Sequence, residues 1–312
     1  MSAPPVQRMC LIGVGLIGSS LSLAAQRQRL VGEVVGCARS EATRSKALEL
    51  GLADRMVEDP AEAADGADLV VVATPVGVYA EVAERIGGVL QPDAVVTDVG
   101  SVKQATIRDI GPHLPDGVHF VPGHPVAGTE KSGPEAGFPE LFEKRWVILT
   151  PPPGTDEAAV ERVAGLWRGC GAYVERMTPA HHDRVLAMTS HLPHLIAYTI
   201  VSTAADLEPG EMAEVVKFSA GGFRDFTRIA ASDPIMWRDI FLNNREAVLE
   251  VLQRFNEDIT ALQRAIRWGE GEFLEDRFRR TRELRSEVVR AHQAGTFDPR
   301  EPDKAKDAGS TS

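Results

Sequence analysis

The stretch VPGHPVAGTEKSG, Val121–Gly133, sets one imidazole, His124, among prolines and glycines and follows it with Thr129, Glu130 and Lys131. Proline and glycine at this density predict irregular backbone, a loop and not a buried element. A second polar stretch, TDVGSVK, carries Asp98, Ser101 and Lys103. Imidazole has an unperturbed pKa of about 6.5, so His124 suits removal of a hydroxyl proton near neutral pH. Ser101 can hydrogen-bond the same oxygen or orient the imidazole, and it also fits the N-cap of a helix beginning at Val102. Arg224 and Arg228 are four apart and would share one face of a helix, where a guanidinium suits bidentate carboxylate recognition. A basic stripe facing solvent would show the same spacing, and Asp225 would either orient Arg228 or sit at the surface.

These groups need a sheet to position them. LIGVGLIGSS places Gly13, Gly15 and Gly18, with Leu16 and Ile17 between them, in G-x-G-x-x-G spacing after an apolar strand and at a helix start. The first glycine allows the tight turn, the second lets backbone approach a pyrophosphate, and the third permits close helix–strand packing. The helix N-terminus offers amide donors and the positive end of its dipole to phosphate. Where an NAD site would carry Asp or Glu against the ribose 2′-hydroxyl, this chain has Ala38, followed by Arg39 and Ser40. That leans toward NADP, or use of either NAD or NADP, unless Arg39 is only a solvated arginine at a helix start. Thr74 and Pro75, in the loop after the next long strand, are expected to touch the cofactor.

Apolar, β-branched runs at 9–15, 33–38, 68–75, 94–100, 119–123 and 145–151 alternate with helical patterns such as 42–50 and 102–110. Such runs suit strands buried on both faces of a parallel sheet, so the fold class is α/β, with an N-terminal Rossmann-type doubly wound sheet. AYVERM, Ala172–Met177, reads as its last strand. From Ala180 to about His292 the periodicity is helical, which predicts an all-α second domain. The expected boundaries are 1–177 for the dinucleotide domain, 178–293 for the helical domain, and 294–312 for a polar, disordered tail.

Within the helical part, Pro193 between His191 and His194 predicts either a kink or a new helix capped by Ser190. His181, His182 and Asp183 match no compact ligand spacing, so no metal is expected. Trp237 and Met236 read as core or interface. The net charge of −11 and pI of about 5.3 argue against nucleic acid as a partner, and any anionic substrate must find local cations. Cys10, Cys37 and Cys170 are an odd, scattered set, which fits a reduced, cytoplasmic protein. Outside the glycine-rich start, no stretch reaches the roughly 20 apolar residues of a membrane span.

GVGLIGSS, DVGSVK, GHPVAGTEKSG, HHDRVLAMTSHLPH and GGFRDFTRIAASDPIMW follow one another in that order. Together they resemble the prephenate/arogenate dehydrogenase family of tyrosine biosynthesis, the cyclohexadienyl dehydrogenases, over about Met9 to His292. The resemblance implies oxidative decarboxylation of a dianionic or zwitterionic cyclohexadienyl substrate with hydride transfer to NAD(P)+. It implies His124 as base on the ring hydroxyl, assisted by Ser101, and Arg228 on the ring carboxylate. It also implies His194 near the substrate side chain, Glu130 and Thr129 in binding or substrate choice, Trp237 and Ser232 near the pocket, and a homodimer joined through the helical domain. A β-hydroxyacid dehydrogenase or imine reductase of similar architecture would lead with a lysine or other proton donor on the first interdomain helix; residues 178–205 hold histidines and no lysine.

Overall fold

In the computed structural model, which describes residues 4–207, 214, 215, 217–219 and 221–290, six strands form one parallel sheet. They are β1 (Val6–Ile12), β2 (Val31–Cys37), β3 (Arg55–Val57), β4 (Leu69–Val72), β5 (Val95–Asp98) and β6 (His119–Phe120), in the order β3-β2-β1-β4-β5-β6. This is the Rossmann order, with its switch point between β1 and β4. β3 is too short and too mixed in composition to announce itself in the sequence. Ile12 pairs with Val72, and Val72 with Asp98, so the carboxyl ends of β1, β4 and β5 finish level. Everything placed just beyond them shares one edge.

Both faces of the sheet are covered. On one side Leu21, Ala24 and Ala25 of α1 (Leu16–Arg27) and Val163 and Trp167 of α6 (Glu157–Gly169) pack against Met9, Leu11 and Val71. α2 (Glu41–Glu49) adds Ala47 there. On the other side α3 (Pro60–Ala64), α4 (Tyr79–Gly87) and α5 (Lys103–Ile110) pack against Cys10, Val70 and Val96. Burial on both faces is why these strands read as continuous apolar runs instead of alternating ones.

A second, three-stranded sheet departs from the sequence reading. The run expected as one strand over 119–123 divides into β6 and β7 (Gly123–Pro125), and β7 pairs antiparallel with β8 (Trp146–Leu149). β9 (Tyr173–Arg176) runs parallel to β8 and belongs to this sheet, not to the end of the first. The start of the His124 stretch is therefore a buried strand, where sequence alone predicts an unburied loop. Proline is tolerated because β7 is an edge strand.

Helices follow. α7 (Pro179–Leu186) is capped by Thr178, whose side chain accepts from the His181 amide, with Pro179 in its first turn. It continues through a π turn, Ala187–His191, into α8 (Leu192–Ala205). The π turn absorbs Pro193 without Ser190 serving as side-chain cap. The joined run Pro179–Ala205 is long and apolar enough to cross a bilayer by length and composition, which corrects the expectation that no such run exists. His182, Asp183 and His191, buried in this run, each hydrogen-bond to a neighbour in the same unit. After α9 (Gly221–Thr227) and a 3-10 turn (Arg228–Ala231), Asp233 caps α10 (Pro234–Asn243).

The chain divides into two compact units, Met1–Leu249 and Glu250–Ser312. α11 (Arg245–Trp268) runs into the second unit, which also holds α12 (Gly271–Arg290) and the ion pair Arg277–Asp258 at 2.6 Å. The tail expected at 294–312 lies outside the described residues.

Candidate active site

Gly13 turns out of β1 with a φ of +100°, a conformation only glycine adopts freely, and a Cβ there would meet Ala73 O at 2.7 Å. A Cβ at Gly18 would meet Gly13 O at 2.2 Å, so the turn and α1 touch through backbone. At Gly15 a Cβ would find nothing within 4 Å. Gly15 is the N-cap of α1, with no side-chain cap and no acidic residue in the first turn. Leu16 and Ile17 pack half-buried against the core. Open space faces uncapped helix amides, the arrangement a phosphate requires.

Beside it, Thr74 Oγ1 is buried with no hydrogen-bond partner among the described residues, and Pro75 leads into the 3-10 turn Val76–Val78. At the end of β2, Ser40 caps α2 by accepting from Thr43 N at 3.2 Å. Arg39 is exposed. Arg44 donates to the carbonyls of Ala38 and Arg39 at 2.9 and 2.8 Å and pairs with Glu41 and Glu58. The main chain of 38–39 is thus fixed from beneath.

Across the same edge, a buried polar cluster surrounds His124. Asp98, at the end of β5, accepts from the amides of Gly100 (2.8 Å) and Gly123 (3.1 Å) and pairs with the ammonium of Lys103 at 2.5 Å. Lys103 also donates to Gly123 O at 2.7 Å, and both side chains of the pair are fully buried. Burial lowers the Lys103 pKa against the opposing pull of Asp98. The pair clamps Gly123, and with it the next residue, to β5.

His124 is 7% exposed. Its Nδ1 lies 2.8 Å from His182 Nε2, and His182 Nδ1 lies 2.8 Å from Asp183 Oδ1. Asp183 accepts the amides of Lys103 (2.7 Å) and Gln104 (3.0 Å), the first amides of α5. This corrects the capping expected of Ser101: the N-cap of α5 is Val102, without a side-chain bond, and the capping carboxylate arrives from α7. Ser101 is half-buried, two residues before the Lys103 amide that Asp183 holds. Burial, then His182, Lys103 and His191, hold the His124 pKa well below its ordinary value. His182 is lowered by burial against the opposing hydrogen bond from Asp183. His191 is lowered to about 4, chiefly by burial.

The helical side presents His194, whose ring stacks on Trp237 with centroids 3.7 Å apart and whose Nδ1 bonds Ser190 O at 2.9 Å. The donor to a carbonyl must be Nδ1–H, which leaves His194 Nε2 bare when the ring is neutral. Burial lowers the His194 pKa, the carbonyl bond opposes it, and Arg228 lowers it further. Trp237 is buried in the core and also lines this cluster; its Nε1 and His191 Nε2 are buried without partners among the described residues. Asn244 Nδ2 bonds His191 Nδ1 at 3.0 Å. Ser232 offers its backbone carbonyl to Tyr198 OH at 2.8 Å.

Arg228 donates to Glu130 at 2.8 Å, both partly exposed, which ties the 3-10 turn to the loop six residues beyond His124. Asp225 does not orient Arg228; it pairs with Arg224 at 3.0 Å. Thr129 is exposed and accepts from Lys131 N.

His182, Asp183, His191 and Asn244 are the polar residues that sequence reasoning did not place here. The signal available was HHD beginning three residues after a helix cap, and burial decides its meaning, which spacing alone does not carry.

Comparison with known proteins gives two family matches. Residues 21–176 match the prephenate dehydrogenase nucleotide-binding domain and residues 178–280 the prephenate dehydrogenase dimerization domain. The cyclohexadienyl dehydrogenase of Zymomonas mobilis is 39% identical over 286 residues, 92% of this chain and 97% of that protein. The prephenate dehydrogenase of Bacillus subtilis is 38% identical over 271 residues, 86% of this chain and 72% of that one. The crystal structure of prephenate dehydrogenase from Aquifex aeolicus with hydroxyphenyl propionate and NAD+ superposes with a TM-score of 0.84 at 38% identity, covering 90% of this chain and 98% of that one. Synechocystis arogenate dehydrogenase gives 0.75 at 27% identity, with 90% and 100% coverage.

Proposed function

Since this chain belongs to the prephenate dehydrogenase family, we propose that its His124 cluster is the base that drives the family's reaction. The protein is an NAD-dependent oxidoreductase of tyrosine biosynthesis that oxidatively decarboxylates prephenate, arogenate or both. The observation that carries the assignment of the base is a buried imidazole at the carboxyl edge of the sheet, held from behind through Nδ1.

Gly13, Gly15, Leu16, Ile17 and Gly18 would hold the dinucleotide phosphates, and Thr74 and Pro75 would lie along it. The fit rests on the open space at Gly15, the uncapped α1 amides and the unpartnered Thr74 hydroxyl. When bound, the nicotinamide supplies the hydride acceptor.

His124 Nε2 takes the hydroxyl proton as the C4–H electron pair leaves, and the C4–oxygen bond becomes a carbonyl. The C1–carboxylate bond then breaks, CO2 departs, and its electrons make the ring aromatic as a phenolate. The same proton returns to that oxygen, so no proton is gained or lost overall. Ser101 hydrogen-bonds the hydroxyl. Arg228 binds the ring carboxylate, with Glu130 and Thr129 beside it. His194, backed by Trp237 and by the 3-10 turn ending before Ser232, meets the side chain of the substrate. The buried N–H of Trp237 supports this face as a binding surface, because buried donors are ordinarily paired.

Arg39, exposed at a fixed main chain with no carboxylate at Ala38, favours acceptance of NADP as well as NAD, with Ser40 at the same corner. The working division is 1–177 for the cofactor and 178–293 for substrate and dimer formation. Exposed Met188, Ile235 and Leu242 support a homodimer that covers them. Buried free thiols at Cys10, Cys37 and Cys170 suit a reducing compartment, the cytoplasm.

Initial rates in a two-by-two matrix of prephenate and arogenate against NAD+ and NADP+ test the reading. Turnover with NAD+ and a measurable rate with NADP+ that Arg39→Ala removes are expected. No turnover of either substrate with either cofactor would overturn it.

A further inference from the structure

Asp183 is buried and both its oxygens accept: Oδ1 takes the Lys103 amide and faces His182 Nδ1, and Oδ2 takes the Gln104 amide and side chain, the latter at 3.3 Å. Burial pushes this carboxyl up, but the bond from His182 and the two amides outweigh it and hold the group ionised. An ionised carboxylate only accepts hydrogen bonds, so the hydrogen in the 2.8 Å contact sits on His182 Nδ1. Neutral His182 then has a bare Nε2. The 2.8 Å contact to His124 needs a hydrogen, and it must be on His124 Nδ1. His124 Nε2 is left bare. Each donor and acceptor in the line is fixed by the one behind it, starting from the amides of α5.

From this geometry we propose that His182 and Asp183 form a two-way proton relay that sets the tautomer of His124 and holds the substrate proton's charge during turnover. The proposal rests on the reading of His124 as the base. As the substrate O–H bond breaks and H–Nε2 of His124 forms, the hydrogen on His124 Nδ1 moves to His182 Nε2. The positive charge then sits on His182, 2.8 Å from the Asp183 carboxylate, and His124 stays neutral. When the phenolate forms, it takes the proton from His124 Nε2 and the hydrogen on His182 returns to His124 Nδ1. The step needs no outside donor or acceptor.

The surroundings favour this placement of charge. His124 is faced by His182, by the Lys103 ammonium and by His191, with Asp98 already paired to Lys103. An imidazolium at 124 would stand in dry surroundings beside an ammonium. At 182 it has Asp183 against it, with Lys103 opposing and the charge of Asp98 also helping. His182 and Asp183 are positioning residues, because they reach the reacting oxygen only through His124.

Two measurements on the full-length protein test the relay. Ring 15N spectra of the histidine-labelled, ligand-free wild type should show His124 protonated on Nδ1 and bare on Nε2, the opposite of the tautomer usual for free histidine. A His124 carrying its hydrogen on Nε2 overturns the proposal without any substitution. Kinetically, His182→Gln keeps an acceptor for His124 but cannot carry a proton. It should lower kcat by about 10²-fold, the low end of general-base effects, with KM within twofold, and should move the acid limb of the kcat–pH profile. His182→Asn is the second variant if the glutamine one fails to fold. An unchanged kcat and profile in a folded variant sinks the relay. If His124→Asn also leaves turnover intact, the base assignment itself has failed; if His124→Asn is inactive while the His182 variants are not, only the relay has.

Discussion

At the scale of the residue, an imidazole sealed from water is useful as a base because it stays uncharged. Burial first, then His182, Lys103 and His191, keep His124 well below its ordinary pKa. The ligand-free enzyme should therefore keep kcat/KM level as pH falls through 6.5, where an exposed histidine would become half-protonated, provided the substrate is corrected for its own ionisation. A drop centred at or above pH 6.5 would contradict the burial. His124→Asn preserves size and polarity but not basicity, so kcat should fall about 10²–10⁴-fold while substrate binding, read by equilibrium titration, changes little. Unchanged turnover would remove His124 from the reaction. Arg228 differs in kind: its pairing with Glu130 at 2.8 Å is partly exposed and adds little stability, and under the proposed reading it serves as the cation for a carboxylate. Arg228→Ala should raise KM about 10–100-fold with kcat largely kept, as expected for loss of a charged hydrogen bond of about 1.5–3 kcal/mol. Equal losses for analogues with and without the ring carboxylate would contradict that role.

At the scale of the element, the three glycines of the first turn allow folding to be tested apart from the proposed binding. Gly18→Ala drives a Cβ against the Gly13 carbonyl at 2.2 Å and should lower Tm by several degrees. Gly15→Ala meets nothing within 4 Å, so Tm should hold while dinucleotide affinity, measured calorimetrically, falls at least about tenfold. If Gly15→Ala bound the dinucleotide normally, the phosphate site would lie elsewhere. This turn was legible in the sequence because its requirements are local: strand, glycine spacing and helix follow within a few residues. β7 was not, because Gly123 and Pro125 mark it as loop, and only pairing with β8, more than twenty residues later, makes it a strand. The capping of α5 was misread for the same reason. Ser101 stands at the right spacing, but the carboxylate that binds the α5 amides comes from Asp183, eighty residues away in the chain. His182 carried no sequence sign of burial, since a histidine pair after a helix cap has the same composition whether it faces solvent or the core. The π turn is a middle case: Pro193 announced an irregularity, and the register of the run decided its form.

At the scale of the whole molecule, buried neutral histidines make the fold sensitive to acid. His124, His182 and His191 all have folded pKa values below the unfolded one, with His191 at about 4. Between pH 6.5 and 4 the unfolded chain binds protons that the folded chain refuses, so stability is fully present above pH 6.5 and is lost as pH falls. His191 alone accounts for on the order of 3 kcal/mol across that window. Urea unfolding followed from pH 7 to pH 4 should show the decline, and a flat midpoint would mean these rings are solvated. Surface pattern governs assembly in the same way that burial governs titration. In the unit beginning at Glu250, Ile266 is 69% and Trp268 72% exposed, and Phe278 and Leu284 are also open. In the first unit Met188 and Leu242 are exposed too. Residues 178–280 match a dimerization domain, and these open apolar side chains are candidates for the face it would cover. Light scattering should therefore give the mass of two chains at micromolar concentration. A charge placed in an apolar interface costs far more than a charge on a wet surface, so Phe278→Asp and Trp268→Asp should shift the mass toward one chain. If both variants remain dimeric with wild-type dissociation constants, these side chains face solvent in the assembly and the dimer is joined elsewhere.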